Sequence, residues 1–102
     1  MRVIKRLPLV EFARKWPDAA APLELWYRFT KRARWRHFAD VKTTFGQTDL
    51  ARVDSGGTVA IFDIGGNKYR LIAAIHYNTQ KVFVLRILTH QEYDRGLWVK
   101  QL

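Results

Sequence analysis

The chain contains no cysteine, which removes disulfides, thiolate metal sites and thiol nucleophiles from consideration and fits a reducing compartment. Serine is almost as scarce. Ser55 is the only one, it precedes two glycines, and no nucleophile-elbow sequence surrounds it, so a serine hydrolase has no support. His37, His76 and His90 are isolated, with neither a second histidine at ligand spacing nor a carboxylate cluster beside them, and neither a metal nor a cofactor is expected. No stretch approaches the ~18 apolar residues that cross a bilayer. Arg2, Lys5 and Arg6 interrupt Val3, Ile4 and Leu7 where a signal peptide would carry its apolar run. A cytoplasmic protein without membrane contact is the expectation. Negative charge is also in short supply: nine Asp and Glu face 18 Lys and Arg, giving +9 and a pI near 10.4. In so small a protein this creates a positive field, and nucleic acid becomes the leading partner class.

What is present suits one domain over residues 1–102, with a hydrophobic content of 48% that includes four Trp, four Tyr and six Phe. The cationic surplus is uneven. Residues 1–42 hold eleven basic and four acidic side chains, whereas residues 43–102 hold seven and five. The densest run is Arg28, Lys31, Arg32, Arg34 and Arg36, free of acids and interleaved with Phe29 and Trp35, with Lys42 close behind. Such a run suits phosphate contact with a base stacked on the aromatic, and a solvated helix end is the plainer alternative.

Val3 and Ile4 indicate a short strand before Pro8. Leu9, Phe12, Ala13 and Trp16 then follow helical spacing up to Pro17. Asp18 is placed to cap a second helix running to about Arg32, and Phe38, Val41 and Phe45 with Gly46 suggest a third, closed by a left-handed cap. A polar linker follows. Three runs rich in β-branched and aromatic residues come next, Thr58–Ile64, Lys68–Tyr77 and Lys81–Leu88, separated by turn residues. The expected fold is α+β: an antiparallel sheet of about four strands, the early helices on one face, the other face or its rim free for a ligand.

Gly65-Gly66-Asn67-Lys68 lacks Walker spacing and reads as a turn between strands. The side chains left for chemistry are Lys68, Arg70, Arg86, His90 and Tyr93 on and beyond the last two strands. RNA can be cleaved without metal when its own 2′-hydroxyl attacks the adjacent phosphorus, given a base, cations for the phosphorane and an acid for the leaving oxygen. Each residue also has an ordinary structural reading: a capping His, a paired Arg, a packed Tyr. Lys68 and Arg70 are expected on one face. If Asn78-Thr79 is a two-residue turn, residues whose numbers sum to 157 oppose each other and Arg86 falls on the face away from Arg70. A three-residue loop reverses that.

The stretch Phe62-Asp63-Ile64-Gly65-Gly66-Asn67-Lys68-Tyr69-Arg70-Leu71, then Val84-Leu85-Arg86-Ile87, then Thr89-His90-Gln91-Glu92-Tyr93-Asp94, resembles the HigB-like toxins of the RelE/ParE superfamily. The resemblance implies the RelE-like fold and an mRNA endonuclease acting on ribosome-bound message. It further implies inhibition by a helix-turn-helix, HigA-like antitoxin, with operator DNA contacted only through that partner. It matches Arg70 to the arginine on the scissile phosphate and places His90 and Tyr93 where the C-terminal catalytic group lies, with Lys68 and Arg86 secondary. The competing function is a non-catalytic toxin of the same fold, or a module that binds RNA or protein through its basic surface.

Overall fold

Val59, Ala60, Ile61 and Phe62 are buried in succession, which a strand allows only when both of its faces are covered. The computed structural model, spanning Met1–Leu102, shows how. Strands β1 (Arg2–Ile4), β2 (Asp49–Arg52), β3 (Thr58–Ile64), β4 (Tyr69–His76) and β5 (Lys81–Thr89) form one sheet in the order β1-β5-β4-β3-β2. Neighbours are antiparallel except β1, which runs parallel to β5. Helices α1 (Leu7–Lys15), α2 (Ala20–Arg32) and α3 (Phe38–Thr44) belong to one side, and α4 (His90–Arg95) and α5 (Trp98–Gln101) follow β5.

The larger core joins Leu9, Leu23, Trp26, Trp35 and Val41 to Phe62, Leu71 and Val82 of the sheet. Phe62 is its centre, with the rings of Trp26 and Phe45 edge-on at 5.4 Å each and Trp35 stacked at 6.3 Å. Removing so large a buried ring costs about 3–5 kcal/mol. The smaller core, on the opposite face, gathers Val53, Val59, Ile61, Ile72 and Trp98. That face is therefore partly closed and not free as expected, because α5 brings an indole onto it.

Other expectations also change. The sheet has five strands and is mixed: the supposed polar linker contains β2, a short edge strand whose four residues pair with β3 from Thr58 to Ile61. Its sequence, polar at both ends, carries too little apolar pattern to announce it. Asp18 caps nothing. It sits in a 3₁₀ turn, Pro17–Ala19, ahead of α2, whose N-cap is Ala19. Helix α3 ends at Phe45 in extended backbone, φ −129°, without the left-handed cap expected at Gly46.

Candidate active site

Arg70 lies on β4 opposite Asp63 of β3 and Leu88 of β5. Its Nε is 3.2 Å from Asp63 Oδ1, and its Nη1 donates to the carbonyls of Asn67 (2.9 Å) and Tyr69 (3.3 Å). The guanidinium also stands over the Tyr93 ring, 5.3 Å from the centroid. With the Arg70 side chain only 12% exposed, these partners fix its orientation and leave Nη2 as the uncommitted nitrogen. A two-point grip on a phosphate then requires one of them to let go.

Tyr93 is held from behind by Trp98, stacked at 5.4 Å and 14°, whose Nε1–H donates to the Tyr93 carbonyl at 3.1 Å. Burial chiefly pushes the Tyr93 phenol above its usual pKa; Arg70 opposes this, while Asp49, Asp63 and Asp94 act with burial. The phenol stays protonated near neutral pH and can donate a hydrogen bond.

Helix α4 starts where the β4–β5 ladder ends. Thr89 and Glu92 form a capping box, the Glu92 N–H donating to Thr89 Oγ1 and the Thr89 N–H to Glu92 Oε1, and Gly96 closes the helix at φ +73°. The His90 N–H donates to the Lys68 carbonyl at 2.9 Å, tying the helix start to the β3–β4 turn. On the side chain, Nε2 is 3.0 Å from Asp94 Oδ2, one turn on.

Lys68 does not share a face with Arg70. It precedes β4, within the turn, and its Nζ reaches Asp18 at 3.4 Å on the side of α1 and α2. Asp18 also accepts from the Tyr69 hydroxyl, which is the main reason its pKa falls below the usual carboxylate value, with Lys68 adding to the effect. Lys68 and His90 nevertheless line one groove of about 500 Å³ at this end of the sheet.

Arg86 is on the face of Arg70, for a reason neither turn length anticipated. From His76↔Lys81 to Ala73↔Val84 the paired numbers sum to 157, but Ile72 pairs with Arg86, and the sum is 158 from there to Tyr69↔Thr89. Leu85 is the extra residue of a bulge. Arg86 donates to the Leu85 carbonyl at 2.7 Å and shares no partner with Arg70.

The basic run lies elsewhere. Lys31, Arg32, Arg34 and Arg36 join Arg2 around an open groove of about 730 Å³ beside Thr79 and Gln80, at the start of β5. Arg28 is outside it, 3.6 Å from Glu24, and Lys42 is exposed on α3 away from the groove. The eight steps of β5 from Lys81 to Thr89, at roughly 3.4 Å each, put about 27 Å between this groove and the start of α4, in a molecule whose longest dimension is 33 Å.

Asp63, Asp94, Trp98 and Arg2 also belong to these two regions, although the sequence patterns above do not single them out. Asp63 was findable, since a four-residue turn at Gly65–Lys68 sets it across from Arg70 as an opposite-charge pair. Asp94 is four residues after His90, the spacing at which helical side chains meet.

A family model for the HigB toxin, described as the RelE-like toxic component of a toxin-antitoxin system, matches residues 19–96. The chain belongs to the HigB toxin family. It is 34% identical over 95 residues to the mRNA interferase HigB of Escherichia coli O6:H1, covering 93% of this chain and 90% of that protein. It is 26% identical over 94 residues to the mRNA interferase toxin HigB of Escherichia coli strain K12 and to the mRNA interferase HigB of Shigella flexneri, covering 92% of this chain and 88% of each relative. The HigB toxin match includes Asp63, Lys68, Arg70, Arg86, His90, Tyr93 and the basic run. Strand β1 and helix α1 precede it.

Proposed function

We propose that this chain is a metal-independent endoribonuclease that cleaves mRNA, held in check by a helix-turn-helix, HigA-like antitoxin. The observation that carries this reading is the meeting of Arg70 with the Tyr93 ring at the end of the β4–β5 ladder where His90 starts α4. The RNA 2′-hydroxyl gives up its proton and attacks the adjacent phosphorus; the bond to the 5′-oxygen breaks, and that oxygen is protonated as it leaves. Arg70, with Arg86 and Lys68 as further cations, stabilises the charge on the non-bridging oxygens. His90 exchanges a proton with the attacking or leaving oxygen, and the Tyr93 phenol donates a hydrogen bond. The names of the relatives support mRNA as the substrate.

The setting we infer is the cytoplasm, with message cut on the ribosome. The cations Arg28, Lys31, Arg32, Arg34, Arg36 and Lys42 attract ribosomal or messenger RNA, and operator DNA is contacted through the antitoxin alone. Product analysis tests the chemistry. Cleavage must leave a 2′,3′-cyclic or 3′-phosphate and a free 5′-hydroxyl; a 5′-phosphate, or activity lost to chelators, overturns it. One observation favours a second reading, a non-catalytic toxin or RNA- or protein-binding module: Asp63 already occupies Arg70. Growth arrest by the free protein while its RNA targets stay intact would establish that alternative.

A further inference from the structure

The groove that Lys68 and His90 share is completed by α1, which precedes the family match. Lys15 and Trp16, at the C-terminal end of α1, form one wall; Tyr69 is in the floor; Gln91 stands with His90 on the other wall. At about 500 Å³ the groove falls within the roughly 300–1,000 Å³ of small-molecule sites. Its charges nearly offset one another, because Lys68 is paired with Asp18 and Glu92, which caps α4, adds a carboxylate to the lining. Lys15 is the one cation of the lining that is exposed and without a carboxylate partner. Trp16 is half-buried, its ring 6.1 Å from Tyr69 and 6.4 Å from Phe12, and no protein acceptor takes its indole N–H. An aromatic wall, a largely neutral lining and a lone cation at the rim suit a nucleobase carrying one phosphate better than a run of phosphates. Position selects the strand. The groove adjoins His90, so a nucleotide held in it neighbours the group proposed to exchange a proton at the scissile phosphate.

We propose that the groove between the end of α1 and the start of α4 is a nucleotide subsite for single-stranded RNA, in which Trp16 stacks on the base next to the scissile phosphate and Lys15 holds that nucleotide's outer phosphate. Gln91, whose side-chain amide has no protein partner, is placed to meet the edge of the base. The inference rests on the endonuclease reading, yet it can be tested apart from cleavage.

The probe is a short single-stranded RNA fully 2′-O-methylated, which lacks the attacking hydroxyl, titrated against the full chain by tryptophan fluorescence. Stacking on Trp16 should quench emission on binding. Trp16→Leu should abolish most of the quench and weaken binding roughly 5- to 150-fold, the range for losing a base–aromatic stack; Trp16→Phe should restore most of the affinity. Lys15→Gln should flatten the dependence of log affinity on log salt by about 0.7, the value of a single phosphate on a single strand. On cleavable RNA both substitutions should raise KM and change kcat little. Unaltered thermal melts confirm folding. Wild-type quench and affinity in the folded Lys15→Gln, Trp16→Leu double variant would overturn the subsite. If the wild-type chain binds the probe through Trp16 but cleaves no RNA, the endonuclease reading fails and the subsite stands.

Discussion

The two ends of β5 both present cations, but they hold them differently. At the end near α4, Arg70 is held by a carboxylate, two carbonyls and an aromatic ring, and is nearly buried. At the other, Arg2, Lys31, Arg32, Arg34 and Arg36 surround an open groove and none forms a salt bridge. A fixed cation can place an oxygen, whereas free cations attract a polyanion without choosing its geometry. The contrast separates orientation from attraction, and each assignment can be broken independently.

The largest effect is expected at the fixed cation. Arg70→Ala should reduce kcat by roughly 100- to 1,000-fold, the range for losing a preorganised charge-stabilising group. Arg70→Lys should recover only part, because a point charge cannot reproduce the planar fork. If a short RNA is cut equally well by Arg70→Ala, the orienting role belongs to another side chain. His90→Ala should lower kcat by roughly 100-fold while leaving RNA affinity nearly intact.

Asp63→Asn sharpens the comparison by making the fixed cation resemble the free ones. With the carboxylate gone, Arg70 should bind phosphate more tightly but hold it less well, so KM and kcat should both fall, each by about 3- to 10-fold. Loss of the partner of a largely buried guanidinium should also lower stability by about 1–3 kcal/mol in denaturant unfolding. A rise in kcat would identify Asp63 as an inhibitor of Arg70 and not its support.

At the other end, replacing Arg32, Arg34 and Arg36 by Gln should leave kcat on a short RNA unchanged. It should lower the slope of log affinity against log salt by up to about 0.7 for each phosphate of a single strand that is no longer neutralised. An unchanged slope would assign these residues to solvent or to the antitoxin.

The smallest effect concerns Asp18. Its pKa in the folded protein is depressed by the Tyr69 hydroxyl first and Lys68 second, from an ordinary value of 3.8. The stabilisation is present above that value and is lost as pH falls through the lower, folded one. Thermal melts of the wild type should therefore decline below about pH 4 more steeply than those of Tyr69→Phe. Parallel acid limbs would show that the bond contributes nothing.

Much of this was legible in the sequence because local rules govern it. The runs of β3, β4 and β5 carry their own apolar pattern, and α1 has Pro8 in its first turn and Pro17 beyond its end. The site was legible as a set of residues but not as an arrangement. Arg70 and Tyr93 do meet, but the Tyr93 ring is backed by Trp98, whose position depends on α5 folding back over the sheet. Lys68 follows the strand period on paper, but the strand begins one residue later and the side chain turns to Asp18. Strand β2 forms because β3 offers it an edge, and its own four residues do not announce that. The capping box of α4 is spelled out in Thr89-His90-Gln91-Glu92, where the histidine draws the eye to chemistry and away from the Thr and Glu that start the helix.

The bulge at Leu85 has a further consequence. Strands are read two letters at a time, one for each face, so the message in β5 depends on its frame. Leu85 is the letter that shifts it: ahead of it the frame is set by the Tyr77–Gln80 turn, and after it the frame is the one that places Arg86 and Leu88 beside Arg70. Deleting Leu85 alone would leave every later residue opposite its present partner, at the cost of one apolar side chain packed against the smaller core. Deleting Ile87 instead would turn Arg86 to the other face or shift Leu88 and Thr89 out of their pairing with β4. Along β5, a chain shortened by one residue at this point should keep its cations in place, so spelling and meaning are separable here.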